Sequence, residues 1–260
     1  MIRGIDGRGG AWFKRVLHGM HGFFHPVRME CLQCKQKATL EAEHLGLCRA
    51  CYWSIPWIRT VLCKICGRYE SCHDCSRRKA AHFVSSRSAV RYNAGMKELL
   101  ARYKYRGDER LKTLIGEMLI HAYRLLDDSQ RGMPSDAGGA WITFVPVSHE
   151  RMQERGFNQA EQMARVLGER VRLPVVPLLR RIRHTDKQSF KSRSDRLGDL
   201  QHVFEMDPDA VKQLGSFQEP SAARILLVDD VYTTGSTMNQ CAKVLRERFR
   251  AEVYGITWAR

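Results

Sequence analysis

Residues 224–249, "RILLVDDVYTTGSTMNQCAKVLRERF", pass from an apolar run through two adjacent acids and a hydroxyl-rich loop into a periodic segment. The apolar run 224–228 reads as a buried strand. The segment 236–249 reads as a helix, because Met238, Cys241, Leu245 and Phe249 recur at spacings of three and four and form one apolar stripe. Cys241 is therefore expected in the core. A strand that hands over to a helix through a glycine-containing turn is the repeating unit of a parallel α/β sheet.

The same alternation extends in both directions. Strands are predicted at 89–92, 141–147 and 252–259, and helices at 96–105, 110–126 and 158–171. A loop rich in Gly, Pro, Ser and Asp is predicted between 127 and 139. The expected fold class is α/β, a mostly parallel sheet flanked by helices and preceded by a small cysteine-rich domain.

In such sheets ligands sit beyond the carboxyl ends of the strands, which is where Asp229 and Asp230 fall. The loop that follows offers successive backbone N–H groups, the hydroxyls of Thr233, Thr234, Ser236 and Thr237, and flexible Gly235 at a helix N-terminus. That arrangement suits a phosphate. No Gly-Lys-Ser/Thr follows, so the stretch is not a P-loop, and it is not a G-x-G-x-x-G fingerprint. Paired acids also occur in phospho-receiver domains, but those would be expected near the start of a domain.

Eight of the nine cysteines form four C-x-x-C pairs between positions 31 and 75. Two sulfurs on one tight knuckle reach a single tetrahedral zinc, and two knuckles complete a four-thiolate shell. Two structural zinc ions are implied. Sequential pairing puts Cys31, Cys34, Cys48 and Cys51 on one ion and Cys63, Cys66, Cys72 and Cys75 on the other, and a crossed pairing is the alternative. A disulfide framework would need an oxidising compartment, and tandem redox pairs lack a βαβ context. Zinc would supply stability that a segment of this length cannot draw from a core, and His44, His73 and His82 read as packing or surface residues.

With 43 Lys and Arg against 28 Asp and Glu, the net charge is +15, which favours polyanionic partners. Basic residues at 49, 59, 64, 68 and 77–79 interleave with Trp53, Trp57 and Tyr69, which suits either a single nucleic-acid strand or a protein-docking face. No stretch has the length and apolarity of a membrane span. The start has no apolar core of signal-peptide length and is read as retained, so membrane insertion is not expected and the expected location is the cytoplasm. Trp12, Phe13, Val16, Leu17 and Met20 suggest a short amphipathic helix in an N-terminal extension of residues 1–30.

"VDDVYTTGST" (228–237) resembles the 5-phosphoribosyl-1-pyrophosphate (PRPP) signature of type I phosphoribosyltransferases. By that resemblance Val228 belongs to the PRPP-binding set, Asp229 and Asp230 hold the ribose hydroxyls, and Thr233, Thr234, Gly235, Ser236 and Thr237 wrap the 5-phosphate. The cysteine pairs, "YKYRGD" (103–108), "VPVSHERMQERGFNQAE" (145–161), "RHTDKQS" (183–189) and the PRPP loop, in that order, resemble the ComF family of competence proteins from about Cys31 to the C-terminus. Domains are accordingly expected at 31–79, a double zinc ribbon, and at 80–260, a phosphoribosyltransferase-like domain.

Arg151, Arg155, Asn158 and Gln159 follow the strand ending in "VPV" and suit a pyrophosphate through bidentate contacts and backbone donors. Residues 180–196 carry seven Lys/Arg against two Asp and read either as a lid over that site or as a nucleic-acid strip. Within them Thr185 and Gln188 match the family's T-x-x-Q, whereas "DLQHVF" (199–204) departs from the Asn and Gly expected of relatives.

Two functions fit. One is a phosphoribosyltransferase using Mg²⁺ with PRPP, in which Asp229, Asp230, Arg151 and Arg155 do the catalytic work and the acceptor is not identified. The other, implied by the resemblance, is a competence protein that handles incoming single-stranded DNA in the cytosol, with a helicase-like partner met through the zinc ribbon. A PRPP sensor without catalysis is a third reading.

Overall fold

The structure, a computed structural model, describes residues 28–78, 80–105, 108, 110–130, 140–182, 203–214 and 224–260. The N-terminal helix expected at Trp12–Met20, Lys79, and Thr185 and Gln188 of the basic segment lie outside the described residues. The chain forms two compact units, Met1–Trp53 and Ser54–Arg260.

In the first unit, strands β1 (Arg28–Glu30) and β2 (Lys37–Thr39) form an antiparallel hairpin. A 3₁₀ turn at Ala42–His44 and helix α1 (Arg49–Ser54) follow. His44 is buried and stacks on Tyr52 with ring centroids 4.4 Å apart, so it packs rather than binds metal.

The second unit is built on four parallel strands in the order β3-β8-β7-β4. These are β3 (Ser85–Val90), β4 (Ala140–Phe144), β7 (Arg224–Val231) and β8 (Glu252–Ala259). The remaining elements are α2 (His73–Ser76), α3 (Ala94–Tyr105), α4 (Arg110–Gln130), α5 (His149–Arg155), α6 (Gln159–Val171), the antiparallel pair β5 (Leu179–Arg181) and β6 (Phe204–Met206), α7 (Pro208–Leu214) and α8 (Ser236–Phe249).

The apolar periodicity explains the layers. Ile225, Leu227 and Val253 pack in one buried cluster with Met238, Cys241, Ala242 and Leu245 of α8. Helices α4 and α6 pack on the sheet and on each other, and there Trp258 Nε1 of β8 donates to Met118 Sδ of α4 at 3.3 Å.

Helix α8 and strand β8 match their predicted limits. Helix α4 runs on to Gln130, into the predicted loop, and strand β4 spans Ala140–Phe144 where 141–147 is predicted. Three further elements differ for reasons the structure shows. Strand β3 begins at Ser85, four residues before the predicted start, because its backbone pairs with β8 from Ser85 onward. Ser88 Oγ lies 2.6 Å from Thr257 Oγ1 and Arg87 donates to the Lys64 and Ser86 carbonyls, whereas the Ser85 and Ser86 hydroxyls are buried with no hydrogen-bond partner among the described residues. Strand β7 continues past Val228 and carries both acids, with Asp229 still in register with Thr257 and Val231 with Ala259. Helix α5 occupies what reads as a ligand loop. Met152 is its one apolar residue, so it lacks an apolar stripe, but Ser148 Oγ caps it by accepting from Arg151 N, and Gly156 ends it at φ 76°.

Ile142 of β4 pairs with Leu226 on one side and bridges Val175, in parallel, on the other. The chain therefore leaves β4 in one direction across the sheet and leaves β7, toward β8, in the other. The crevice between the carboxyl ends of β4 and β7 is the point where strand order reverses, the place where open α/β sheets bind ligands.

Candidate functional site

Two clusters of thiols are assembled. In each, every Sγ lies within 4.8 Å of the others, and the groups are Cys31, Cys34, Cys48, Cys51 and Cys63, Cys66, Cys72, Cys75. This is the sequential pairing. All eight are free thiols. Tetrahedral zinc with Zn–S near 2.3 Å requires sulfurs about 3.8 Å apart; Cys34 and Cys48 are 3.9 Å apart, and Cys66 and Cys72 3.5 Å.

Both first knuckles share one backbone design. Lys35 N donates to Cys31 O, Gly67 N donates to Cys63 O, and Lys35 and Gly67 are left-handed at φ 64° and 70°. Burial would raise the Cys31 thiol, but the N–H groups of Cys48, Cys34 and Gln33 outweigh it and draw it down to about 6. Burial and the neighbouring sulfurs push Cys51 and Cys75 up instead. Four thiolates in one cluster therefore call for a bound cation, and both donor sets fit zinc.

At the carboxyl end of β7 the two acids point to opposite sides of the strand, as neighbours on a strand must. The Asp230 carboxylate pairs with Lys104 Nζ at the end of α3. Asp229 accepts from Asp230 N at 2.8 Å. Burial first, and then the Asp230 charge, raise the Asp229 carboxyl to about 7 against the pull of Lys104 and Arg151. Positive charge thus acts on this pair from Lys104 of α3 and Arg151 of α5.

After β7, Tyr232 is buried, Thr233 and Thr234 are exposed, and Gly235 adopts φ 75° and opens α8. A Cβ on Gly235 would lie 2.1 Å from the Tyr232 hydroxyl, so any other residue in this tight turn would have to displace the Tyr232 ring. Thr234 Oγ1 and Ser236 Oγ lie 2.9 Å apart, and Ser236 N points at Thr234 Oγ1 at 3.4 Å. The loop is a nest of donors at the N-terminus of a 14-residue helix.

Arg151 and Arg155 lie on one face of α5, four residues apart. Arg155 donates to Gln159 Oε1 at 2.8 Å and to the Tyr105 hydroxyl at 2.7 Å, and its guanidinium stacks on that ring. Asn158 caps α6 by accepting from Ala160 N and Glu161 N, and its amide donates to Val145 O. Asn158 and Gln159 are buried, so they hold α5 and α6 against the sheet. Val228 is fully buried, and its carbonyl accepts from Val145 N.

The structure adds residues that sequence reasoning left without a role. Lys104 was visible only as part of "YKYRGD". Arg78, from the cysteine-rich segment, donates through Nη2 to Thr234 O at 2.5 Å and to the Tyr232 hydroxyl at 3.2 Å. No sequence signal links residues 156 positions apart. In the basic-aromatic strip, Trp53 is 63% exposed, but Trp57 packs edge-on to His121, Tyr69 lies under Arg91 and Arg68 pairs with Asp74 at 2.8 Å. No helix among the described residues is long and apolar enough to cross a membrane.

No protein-family model matches the chain. It is 29% identical to "Competence protein ComFC" of Bacillus subtilis over 86% of its length and 91% of that protein. It is 30% identical to "Competence protein ComFC" of Streptococcus pneumoniae over 84% and 94%, and 28% identical to "Competence protein F" of Haemophilus influenzae over 88% and 94%. Among solved structures, adenine phosphoribosyltransferase from Saccharomyces cerevisiae aligns over 60% of this chain and 72% of that one, at 14% identity and a TM-score of 0.30. The enzyme from Leishmania tarentolae aligns over 56% and 58%, at 22% identity and a TM-score of 0.26.

Proposed function

Because the chain belongs to the competence protein ComFC family, we propose that it binds PRPP, or a closely related sugar phosphate, and acts on single-stranded DNA in the cytoplasm during natural transformation. The observation that carries this reading is the meeting of three groups at one crevice. Asp229 and Asp230 sit on the last residues of β7, the Thr233–Thr237 loop opens α8 beside them, and Arg151 lies close enough to Asp229 to lower its carboxyl.

Within this reading the two carboxylates accept from the ribose hydroxyls. The Gly235 and Ser236 N–H groups and the loop hydroxyls receive the 5-phosphate. Arg151 and Arg155 neutralise the pyrophosphate, and Thr185 and Gln188, which lie outside the described residues, are assigned to the same group. Magnesium, when bound with PRPP, supplies charge neutralisation at the pyrophosphate. Zinc at the two four-cysteine clusters is structural. The +15 net charge and exposed Trp53 suit a single strand held by charge and stacking, and the first cluster's unit suits a helicase-like partner.

Cationic Arg151 beside the acids also favours a transferase, since a developing pyrophosphate leaving group needs fixed positive charge. Pyrophosphate release from PRPP, measured with and without single-stranded DNA, separates the readings. Release stimulated by DNA supports transfer onto it, and DNA-independent release points to an acceptor in nucleotide metabolism. Saturable PRPP binding without release identifies a sensor. Neither binding nor release overturns the assignment of the site.

A further inference from the structure

The second cysteine cluster is built into the sheet-bearing unit beside the phosphate loop. Cys66 is 1% exposed and belongs to the same buried cluster as Phe83, Tyr232 and Met238, with Cys63, Cys72 and Cys75 packed against it. From that cluster the chain is stitched onto the loop at consecutive points. Arg78 N donates to Cys75 O at 3.3 Å, closing the turn that carries Cys72 and Cys75. The Arg78 guanidinium then reaches Thr234 O and the Tyr232 hydroxyl.

Asn239, in the first turn of α8, donates to Ala80 O at 3.2 Å and accepts from His82 N at 2.7 Å. Arg260 stacks over the Tyr232 ring at 4.8 Å and donates to the Cys66 carbonyl. Tyr232 thus contacts two arginines that are each bonded to the backbone of a metal-binding cysteine.

The contact on Thr234 O has a directional effect. In a trans peptide the C=O and the following N–H point in opposite directions. An arginine that fixes the Thr234 carbonyl on the Tyr232 side therefore holds the Gly235 N–H toward the other side, where the phosphate would bind.

Building on the sugar-phosphate reading above, we propose that Arg78 is a positioning residue of the phosphate loop, and that it couples metal occupancy of Cys63, Cys66, Cys72 and Cys75 to sugar-phosphate affinity. Coupling of two binding equilibria is reciprocal, so a bound phosphate must raise the affinity of this cluster for its metal. The cluster at Cys31, Cys34, Cys48 and Cys51 belongs to the other compact unit and is not part of this linkage.

The test uses the full zinc-loaded chain and ribose 5-phosphate, which lacks the pyrophosphate that would itself chelate zinc. Affinity is measured by calorimetry, and metal affinity by equilibrium competition with a colorimetric chelator. In the wild type, ribose 5-phosphate should raise the chelator concentration needed to withdraw one of the two zinc equivalents and leave the other unchanged. Arg78→Ala should keep both zinc ions, weaken ribose 5-phosphate by about tenfold, the worth of one charge-assisted hydrogen bond, and abolish the protection. Arg78→Lys, which keeps the charge on a shorter side chain with a strongly hydrated point-like ammonium, should recover only part of the affinity.

Unchanged affinity in Arg78→Ala, or protection that persists without Arg78, overturns the inference. The Asp229→Asn/Asp230→Asn variant separates the two levels. If it loses ribose 5-phosphate while Arg78→Ala does not, the site stands and the coupling falls. If the wild type shows no response to ribose 5-phosphate, both fall.

Discussion

Replacing Gly235 and Gly156 by alanine, one at a time, tests whether the loop after β7 is shaped for a ligand. The two glycines share a backbone conformation, with φ 75° and 76°. Their surroundings differ: a Cβ on Gly156 meets nothing within 4 Å, while one on Gly235 lies 2.1 Å from the Tyr232 hydroxyl and 2.3 Å from its Cζ. An L-residue in the left-handed region costs about 1–2 kcal/mol, partly offset by the lower entropy of the unfolded chain, so Gly156→Ala should cost about 1 kcal/mol.

Gly235→Ala must also displace the Tyr232 ring by more than about 1 Å, and overpacking of that kind adds about 1–3 kcal/mol. For a unit of this size each kcal/mol lowers Tm by about 2–4 °C, so the drops should be about 2–4 °C for Gly156→Ala and roughly 5–15 °C for Gly235→Ala. Thermal unfolding with and without ribose 5-phosphate reads both effects. Gly156→Ala should keep the ligand-induced rise in Tm, and Gly235→Ala should lose it. Equal drops in Tm, or a full ligand response in Gly235→Ala, would refute the reasoning.

Asp229 binds its proton more tightly in the folded protein, at about 7 against an ordinary 3.8. Its stabilising contribution is therefore complete below about pH 4 and is lost as pH rises to about 7. The stability difference between Asp229→Asn and the wild type should widen in favour of the variant across that window, and a pH-independent difference rejects the assignment. Metal analysis should give two zinc ions per chain, falling to one in Cys31→Ser and in Cys63→Ser. Because Cys63 packs against the core of the sheet-bearing unit and Cys31 lies in the other unit, only Cys63→Ser should lower the main unfolding transition. Binding of single-stranded DNA should weaken with salt, with a slope of about −0.7 per neutralised phosphate on logarithmic axes; salt-independent binding contradicts a role for the +15 charge.

The sequence carried the elements whose signal is periodic. Helix α8 and strand β8 are bounded by apolar periodicity and match residue for residue, and the four C-x-x-C pairs group as sequential pairing predicts. Elements stabilised by polar burial were hidden. Ser85, Ser86, Arg87 and Ser88 look like surface residues, yet they form a buried edge strand, because the 56–65 segment covers that edge through Pro56 O and Ile65 O and because Arg87 and Ser88 find partners for their side chains. Helix α5 was hidden for the opposite reason, since a polar, capped helix has no stripe to read. The bonds from Arg78 to the loop and from Lys104 to Asp230 join distant segments, and neither leaves a local pattern.

Titration calorimetry of PRPP with magnesium against the wild type and the Asp229→Asn/Asp230→Asn variant tests the proposed site most directly. One saturable site per chain is expected in the wild type, and no detectable binding in the variant. Equal binding by both proteins, or no binding by the wild type, would contradict a sugar-phosphate site at the carboxyl end of β7.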